Sequence, residues 1–307
     1  MNIYFAPLEG ITTAVYRNTH AECFGGPDAY YAPFITPSDN ERISRKGLYD
    51  VVPERNQNQT LKVQVLTNQA QSFLKFAQKI TLTGYDEVNL NIGCPFQRVV
   101  QKGRGAGFLQ EPEALDAFFE EIFAACDLNI TVKTRTGYTD RSEMDKLLAI
   151  FNRYPIAQLT VHPRTRGDFY KGVPDMETFT KVYEHSVNPV CYNGDVVTAE
   201  DFNHIAGTYP ELEGVMIGRG AVRNPALFRE IRGGEGIQTK ELYDFSKKLI
   251  ENYYEELHSE TFTLHKVKEV WTYMLQLFPE DNKLAKAIKK ANDLSEFIAA
   301  ISYLPAL

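Results

Sequence analysis

The 307-residue chain has only four cysteines, Cys23, Cys94, Cys126 and Cys191, and no two stand in C-x-x-C spacing. A disulfide scaffold is excluded, and the thiols are expected to be free in a reducing cytoplasm. Histidine is scarce too, six in all with no H-E-x-x-H or H-x-H pair, so no metal site is expected. No G-x-S-x-G elbow seats a hydrolase serine. No apolar run approaches the roughly 18 residues of a membrane span, and residues 1–7 lack a basic region followed by a long apolar stretch. Neither a membrane segment nor a signal peptide is therefore expected. Positive charge is also short: 33 Lys and Arg face 40 Asp and Glu, a net charge of −7 with a pI near 5.5. Any attraction to a polyanion must come from a local patch.

What the chain does have is alternation. Short apolar runs, several rich in Val, Ile or Tyr, fall at 3–5, 29–32, 61–65, 87–90, 130–132, 158–161, 190–192 and 214–217, a composition that strands favour. Helical periodicity separates most of them. Ala114, Phe118, Ile122 and Ala125 repeat at helix spacing between the fourth and fifth runs, and 140–154 is similar between the fifth and sixth. Strands alternating with helices predict a parallel sheet. Eight units in about 230 residues fit a (β/α)8 TIM barrel, which takes roughly 250; the competing arrangement is an open doubly wound sheet. The strand ends favour the barrel, because nearly all carry a group with chemical potential: Pro7, Gln64, Asn91, Lys133, His162, Asn193 and Gly218-Arg219. A barrel gathers side chains from many strand ends at one face, whereas an open sheet uses mainly those at its switch point.

Gly233-Gly234-Glu235-Gly236 reads as a linker. It divides a barrel over 1–234 from a small C-terminal all-helical domain over 237–307. In the latter, Leu264, Val267, Trp271, Met274 and Phe278 form one apolar stripe, and Leu284, Ile288 and Ala291 another. The domain holds 9 Lys and Arg against 11 Asp and Glu. Its basic residues nevertheless cluster, as His265, Lys266 and Lys268 and then Lys283, Lys286, Lys289 and Lys290.

Asn91-Ile92-Gly93-Cys94-Pro95, ahead of Gly103-Arg104-Gly105-Ala106-Gly107, is the most informative stretch. A cysteine is ordinarily a small apolar filler, but Cys94 is held at a strand end between a glycine and a proline. With a pKa near ~8.5 its thiol is a proton donor at neutral pH. With His162 as base it would be a nucleophile, and spacing leaves both open. Lys133 closes the run Ile130-Thr131-Val132, where an ammonium is costly unless it meets an anion such as the N1–O2 edge of a reduced flavin. His162 is followed by Pro163, Arg164, Thr165 and Arg166, and the two arginines suit a phosphate or a carbonyl-rich base. Gln64 and Asn91 present donor and acceptor atoms to a planar heterocycle. Asn193-Gly194-Asp195 and Gly218-Arg219-Gly220-Ala221 follow the last two strands. Loops there commonly cradle a phosphate, the glycines admitting it and the next helix offering free N–H groups. Cys23, Cys126 and Cys191 lack such a setting and are expected to be structural.

Taken in order, these residues resemble the tRNA-dihydrouridine synthases. Ala6-Pro7-Leu8-Glu9-Gly10-Ile11-Thr12 is similar to the family's opening A-P-M-x-G-x-T, and Asn91 to Pro95 followed by Gly105-Ala106 to its N-x-G-C-P…G-A signature. Val132-Lys133-Thr134-Arg135, Val161-His162-Pro163-Arg164-Thr165, Asn193-Gly194-Asp195 and Gly218-Arg219-Gly220-Ala221 resemble its later motifs. The resemblance implies an FMN-dependent oxidoreductase that reduces a specific uridine in tRNA to 5,6-dihydrouridine, with NADPH as electron donor. Hydride would pass from reduced FMN to C6, and Cys94 would be the proton donor to C5. Carried over by position, Pro7, Leu8, Glu9, Gln64, Asn91, Lys133, His162, Asn193, Gly194, Asp195, Gly218 and Arg219 would hold the cofactor, and Arg164 would lie near the target base. The helical domain would bind tRNA through His265, Lys266 and Lys268, with Lys286 and Lys289 on the following helix.

The chain departs from the family pattern at Leu8, where methionine is common, at Thr13, often aspartate, and at Asp168, often glutamine. A small-molecule FMN oxidoreductase of the dihydroorotate dehydrogenase type is the alternative, since it would share the lysine and the glycine loops but need no basic helical tail. A non-enzymatic RNA-binding barrel is opposed by the intact Cys94 and Lys133. No obligate protein partner is expected.

Overall fold

The computed structural model describes residues 1–37 and 45–305. Eight parallel strands close into a barrel in sequence order: β1 (Asn2–Phe5), β2 (Ala29–Tyr31), β3 (Leu61–Val65), β4 (Glu87–Ile92), β5 (Asn129–Gly137), β6 (Gln158–Thr165), β7 (Val190–Tyr192) and β8 (Gly214–Ile217). β8 pairs back on β1, which excludes the open sheet. Every strand lies where an apolar run places it. β4, β5 and β6 also continue into polar residues, because the backbone ladder proceeds whatever the side chain: Asn91 is opposite Lys133, and Arg135 opposite His162.

Side chains alternate in direction along each strand, and the two sets differ in chemistry. Val63, Val65, Val88, Leu90, Ile92, Val132, Leu159 and Val161 join Phe73, Phe76, Phe119 and Phe151 of the surrounding helices in one continuous core. Each such burial stabilises the fold by roughly 1.5–3 kcal/mol. The alternate residues face the barrel axis. Tyr4, Ala6, Ala29, Tyr31, Cys191 and Met216 form a separate small cluster, and Gln64, Asn89, Asn91, Thr131, Gln158 and Thr160 are also buried. The interior of the barrel is therefore polar on its β3–β6 side.

Two helix expectations need correction. Helix Pro112–Ala125 is present, but its buried face is Leu115, Phe118, Phe119 and Ile122, and Ala114 and Ala125 are exposed. The larger side chains bury more apolar area and so choose the face. The helix expected over 140–154 is Glu143–Phe151. Glu143 turns its carboxylate back to accept the N–H groups of Tyr138, Thr139 and Asp140, which folds that segment into a cap.

Beyond the barrel come helices Thr239–Leu257, Glu260–Met274, Asn282–Lys290 and Leu294–Ile301; residues 306 and 307 of the expected domain lie outside the described residues. Both predicted apolar stripes are buried. Trp271 is at their centre, its Nε1 donating to Ser246 Oγ at 3.2 Å and its ring edge-on to Phe297. Residues 233–236 are exposed but form a pinned corner. Arg229 Nε donates to Glu235 O at 3.0 Å, and Ile237 N to Glu230 Oε1 at 3.0 Å. The helices seat directly on the barrel. Phe245 packs edge-on against Tyr16, Asn252 Nδ2 donates to Thr19 Oγ1, and Lys266 Nζ donates to Gly10 O at 3.1 Å. Among the described residues, no helix is long and apolar enough to cross a membrane.

Candidate active site

A cavity opens at the C-terminal ends of the strands, with about 1080 Å³ of free space counting its mouth. Of the twelve residues expected around a cofactor, eleven line it, every one but Asp195. Cys94, Arg135, Phe34, Phe96 and Tyr170 line it as well, and Tyr273 reaches it from helix Glu260–Met274.

Cys94 is 7% exposed and its backbone is tied on both sides. Asn91 Oδ1 accepts the N–H groups of Gly93 and Cys94 at 3.0 and 2.9 Å, and Ala106 N donates to Cys94 O at 3.0 Å. Gly105 has φ +57°, and a Cβ there would approach Cys94 O to 2.7 Å, so the second glycine cluster closes on the thiol loop. Burial pushes the Cys94 thiol above its ordinary range, which keeps it protonated at neutral pH. No hydrogen bond joins it to His162 among the described residues. His162 Nε2 meets Arg164 Nη1 at 3.1 Å. A guanidinium can only donate, so this nitrogen accepts and the imidazole proton sits on Nδ1. Burial, with Arg135, Lys133 and Arg164 nearby, holds His162 well below its ordinary pKa, hence neutral.

Lys133 comes off the inner face of β5. Burial, then the neighbouring Arg135, lowers its pKa to about 8. Among the described residues it has no hydrogen bond and no ion pair. Among the described residues, Lys133, Arg135 and Arg219 stand in the lining against a single carboxylate, Glu9. This cation set fits a group that is electron-rich at one edge and carries a phosphate, and a flavin mononucleotide is such a group.

Arg164 does not reach the cavity lining. It is 1% exposed and all five of its N–H bonds are used. Nε donates to Lys171 O, Nη1 to His162 Nε2 and Asp195 Oδ1, and Nη2 to Asp195 Oδ2 and Gly172 O. Asp195 Oδ1 also accepts from Arg219 Nη2 at 2.7 Å. Asp195 thus joins the buried Arg164 to the rim residue Arg219, whose guanidinium lies 4.7 Å above the Tyr170 ring. Asp168 folds its own loop by accepting from Thr165 N and Oγ1. Phe169 follows at φ +52°, a strained setting for a bulky residue, and the turn delivers Tyr170 to the cavity.

In the helix after β7, Thr198 and Asp201 form a capping box that takes up Asp201 N, the Asp201 carboxylate in turn accepting from Val197 N and Thr198 N. Gly194 has a closer reason to be glycine, since a Cβ there would collide with the Tyr192 hydroxyl. In the helical region His265 is exposed, but the two lysines beside it are engaged. Lys266 Nζ donates to Gly10 O and Glu269 Oε2, and Lys268 Nζ to Lys289 O and Ala291 O. Lys268 so caps the end of helix Asn282–Lys290, whose Lys283, Lys286, Lys289 and Lys290 are exposed and without an ion-pair partner among the described residues.

Arg135, Tyr170, Phe34, Phe96 and Tyr273 were not singled out by the sequence. Arg135 had a signal, since it stands two residues beyond Lys133 on the same strand face. It bridges strands, Nε donating to Gly93 O at 2.8 Å and Nη1 to Thr165 O at 2.9 Å. The aromatics had none, because loops and a distant helix bring them in.

Among solved structures, the chain is similar to a variant of NCR from Zymomonas mobilis (14% identity, TM-score 0.56, 77% of this chain and 88% of that one). It is also similar to the old yellow enzyme from Trypanosoma cruzi (9% identity, TM-score 0.54, 76% and 88%). At such identities the likeness is one of fold. Curated relatives include tRNA-dihydrouridine(16) synthases from Cupriavidus necator (27% identity over 99% of this chain and 97% of the relative) and Neisseria meningitidis (28% over 96% and 92%). They also include tRNA-dihydrouridine synthase B from Pseudomonas putida (27% over 82% and 75%). The family model for dihydrouridine synthase (Dus) matches residues 4–304, barrel and helical region alike. The chain belongs to the dihydrouridine synthase family.

Proposed function

We propose that the protein reduces a uridine of tRNA to 5,6-dihydrouridine, with FMN in the barrel mouth and NADPH as electron donor. The observation that carries this is the placing of a protonated thiol, Cys94, and an ammonium without an ion pair among the described residues, Lys133, in one cavity. FMN, when bound, supplies the hydride that C6 of the uracil receives. Lys133 favours the electron-rich form of the cofactor by its charge. Pro7, Leu8 and Glu9 line one side, Gln64 and Asn91 the base of the cavity, and Asn193, Gly194, Gly218 and Arg219 the phosphate side. His162, neutral and holding its proton on Nδ1, is a hydrogen-bond donor to the cofactor or the uracil. Asp195 and Arg164 act through Arg219 and His162 as positioning residues. Cys94 gives its proton to C5, and because the His162 Nε2 lone pair is committed to Arg164, His162 does not serve as the base for a thiolate nucleophile.

The uridine must leave its stack to enter the cavity, at a cost of roughly a few kcal/mol. Contacts between the helical region and tRNA phosphates offset that cost. Lys266 and Lys268 serve chiefly to hold that region in place. The exposed face of helix Asn282–Lys290 is the stronger candidate for the RNA surface, since it carries four exposed lysines and no acidic residue. The triple substitution Lys283→Glu, Lys286→Glu and Lys290→Glu is expected to weaken tRNA binding about 10- to 100-fold and to flatten its salt dependence by about two units of slope. NADPH oxidation in the absence of tRNA should be unchanged. Filter binding at several salt concentrations checks this, and wild-type affinity would move the RNA surface elsewhere.

The relatives that align along nearly the whole chain are named for position 16, and we extend the proposal to that uridine. The purified protein should be yellow and release FMN on denaturation. A deletion strain should lack dihydrouridine at position 16 of its tRNAs. A colourless protein that cannot be reconstituted with FMN, or unaltered dihydrouridine in that strain, sinks the proposal.

A further inference from the structure

A line of hydrogen bonds runs inside the barrel from its floor to the Cys94 loop. Glu87, Asn89 and Asn91 alternate along β4, and the ladder sets Gln64 of β3 and Thr131 of β5 opposite Asn89. Glu87 Oε2 accepts from Lys62 Nζ at 2.7 Å and its Oε1 from Thr131 Oγ1 at 3.1 Å. Thr131 Oγ1 accepts from Asn89 Nδ2 at 2.9 Å. Asn89 Oδ1 accepts from Gln64 Nε2 at 2.7 Å, and Gln64 Oε1 from Asn91 Nδ2 at 2.8 Å. Asn91 Oδ1 then receives the N–H groups of Gly93 and Cys94. Gln64, Asn89 and Thr131 are at most 1% exposed, so solvent does not stand in for a missing partner.

The line has a direction. A carboxylate only accepts, so Thr131 gives its proton to Glu87 and turns a lone pair to Asn89. Asn89 must then present its Nδ2 to Thr131 and its Oδ1 to Gln64, and the same logic fixes Gln64 and next Asn91. Reversing any one amide would set donor against donor, or acceptor against acceptor, in a closed interior. We propose that Glu87, Thr131 and Asn89 are positioning residues: they fix the amide orientations of Gln64 and Asn91, and through them the place of the Cys94 thiol. Its role in turnover rests on Cys94 being the proton donor, but the positioning itself does not.

The test is the pH dependence of Cys94 alkylation by iodoacetamide, resolved by peptide mass spectrometry on the flavin-free full chain, with single-turnover uridine reduction measured in parallel. Asn89→Leu strips Gln64 Nε2 of its acceptor and leaves that amide a single partner, Asn91. It should shift the alkylation midpoint and slow uridine reduction about tenfold, the scale of one displaced catalytic contact. Asn89→Asp, which burial keeps as the neutral acid, still accepts from Gln64 Nε2 and donates its O–H to Thr131 Oγ1, and should keep both near wild type. A merely structural role predicts the opposite order, because a carboxyl group in that interior is harder to accommodate than a leucine. Thr131→Val, which leaves Asn89 one anchor, should fall between, and it replaces the leucine variant if that does not fold. A wild-type alkylation profile in Asn89→Leu, or in Thr131→Val in its stead, overturns the proposal, as does equal impairment in Asn89→Asp and Asn89→Leu. If Cys94→Ala keeps its turnover, the donor assignment falls while the alkylation profiles still decide the positioning.

Discussion

Cys94→Ala is expected to lower the rate of uridine reduction by about 10²- to 10⁴-fold, the range spanned by a positioned general acid. FMN content and NADPH oxidation should stay within about twofold of wild type, because the thiol acts on the uracil and not on the cofactor. The pH profile follows from the burial that raises the thiol pKa. An acid must hold its proton, so the rate should be flat through neutrality and fall as pH rises past the thiol's value, above the ordinary ~8.5. Single-turnover reduction of tRNA by pre-reduced enzyme measures this step alone. Unchanged turnover in Cys94→Ala would place the proton donor elsewhere in the lining.

Lys133→Met is expected to act in two opposite ways. In the unfolded chain the amine titrates at its ordinary 10.5, and in the folded chain at about 8. Between those values the unfolded chain binds a proton that the folded chain does not, so this residue's contribution to stability rises with pH across that window. At pH 7 the amine is charged in both states and the penalty of its partial burial is present. Replacing it with methionine removes that penalty and should raise the melting temperature of the flavin-free protein by about 2–4 °C at pH 7. The gain should shrink toward pH 10. Function moves the other way. Loss of the cation should lower the midpoint potential of bound FMN by about 30–60 mV, where about 30 mV is a tenfold change in a two-electron equilibrium. NADPH oxidation should slow accordingly. Calorimetry and a reductive titration together check the claim, and an unaltered potential would show that Lys133 does not face the flavin.

The eight strands were legible because their outward residues, such as Val63, Val88 and Val132, must be apolar to meet the helices. Their inward neighbours, Gln64, Asn91, Lys133 and His162, broke that pattern at or near the ends of the apolar runs, and the barrel brings these four to one cavity. Arg164 and Lys268 looked like ligands for a base and a phosphate. Charge type can be read from sequence, but whether an ion's N–H groups are spent inside the protein depends on which carbonyls and carboxylates the fold brings near. Arg164 is consumed by Asp195 and two loop carbonyls, and Lys268 by the end of a neighbouring helix.

The sequence by itself determined the strand and helix order, the thiol held between glycine and proline, and the lysine that ends the apolar run of β5, because each follows from local periodicity and local geometry. Only the tertiary structure decided the tautomer of His162, the commitment of Arg164, the arrival of Tyr170 and Tyr273 at the cavity, and the direction of the polar line beneath Cys94. Those depend on donors and acceptors meeting across strands and loops far apart in the chain, and closing the barrel is what joins them.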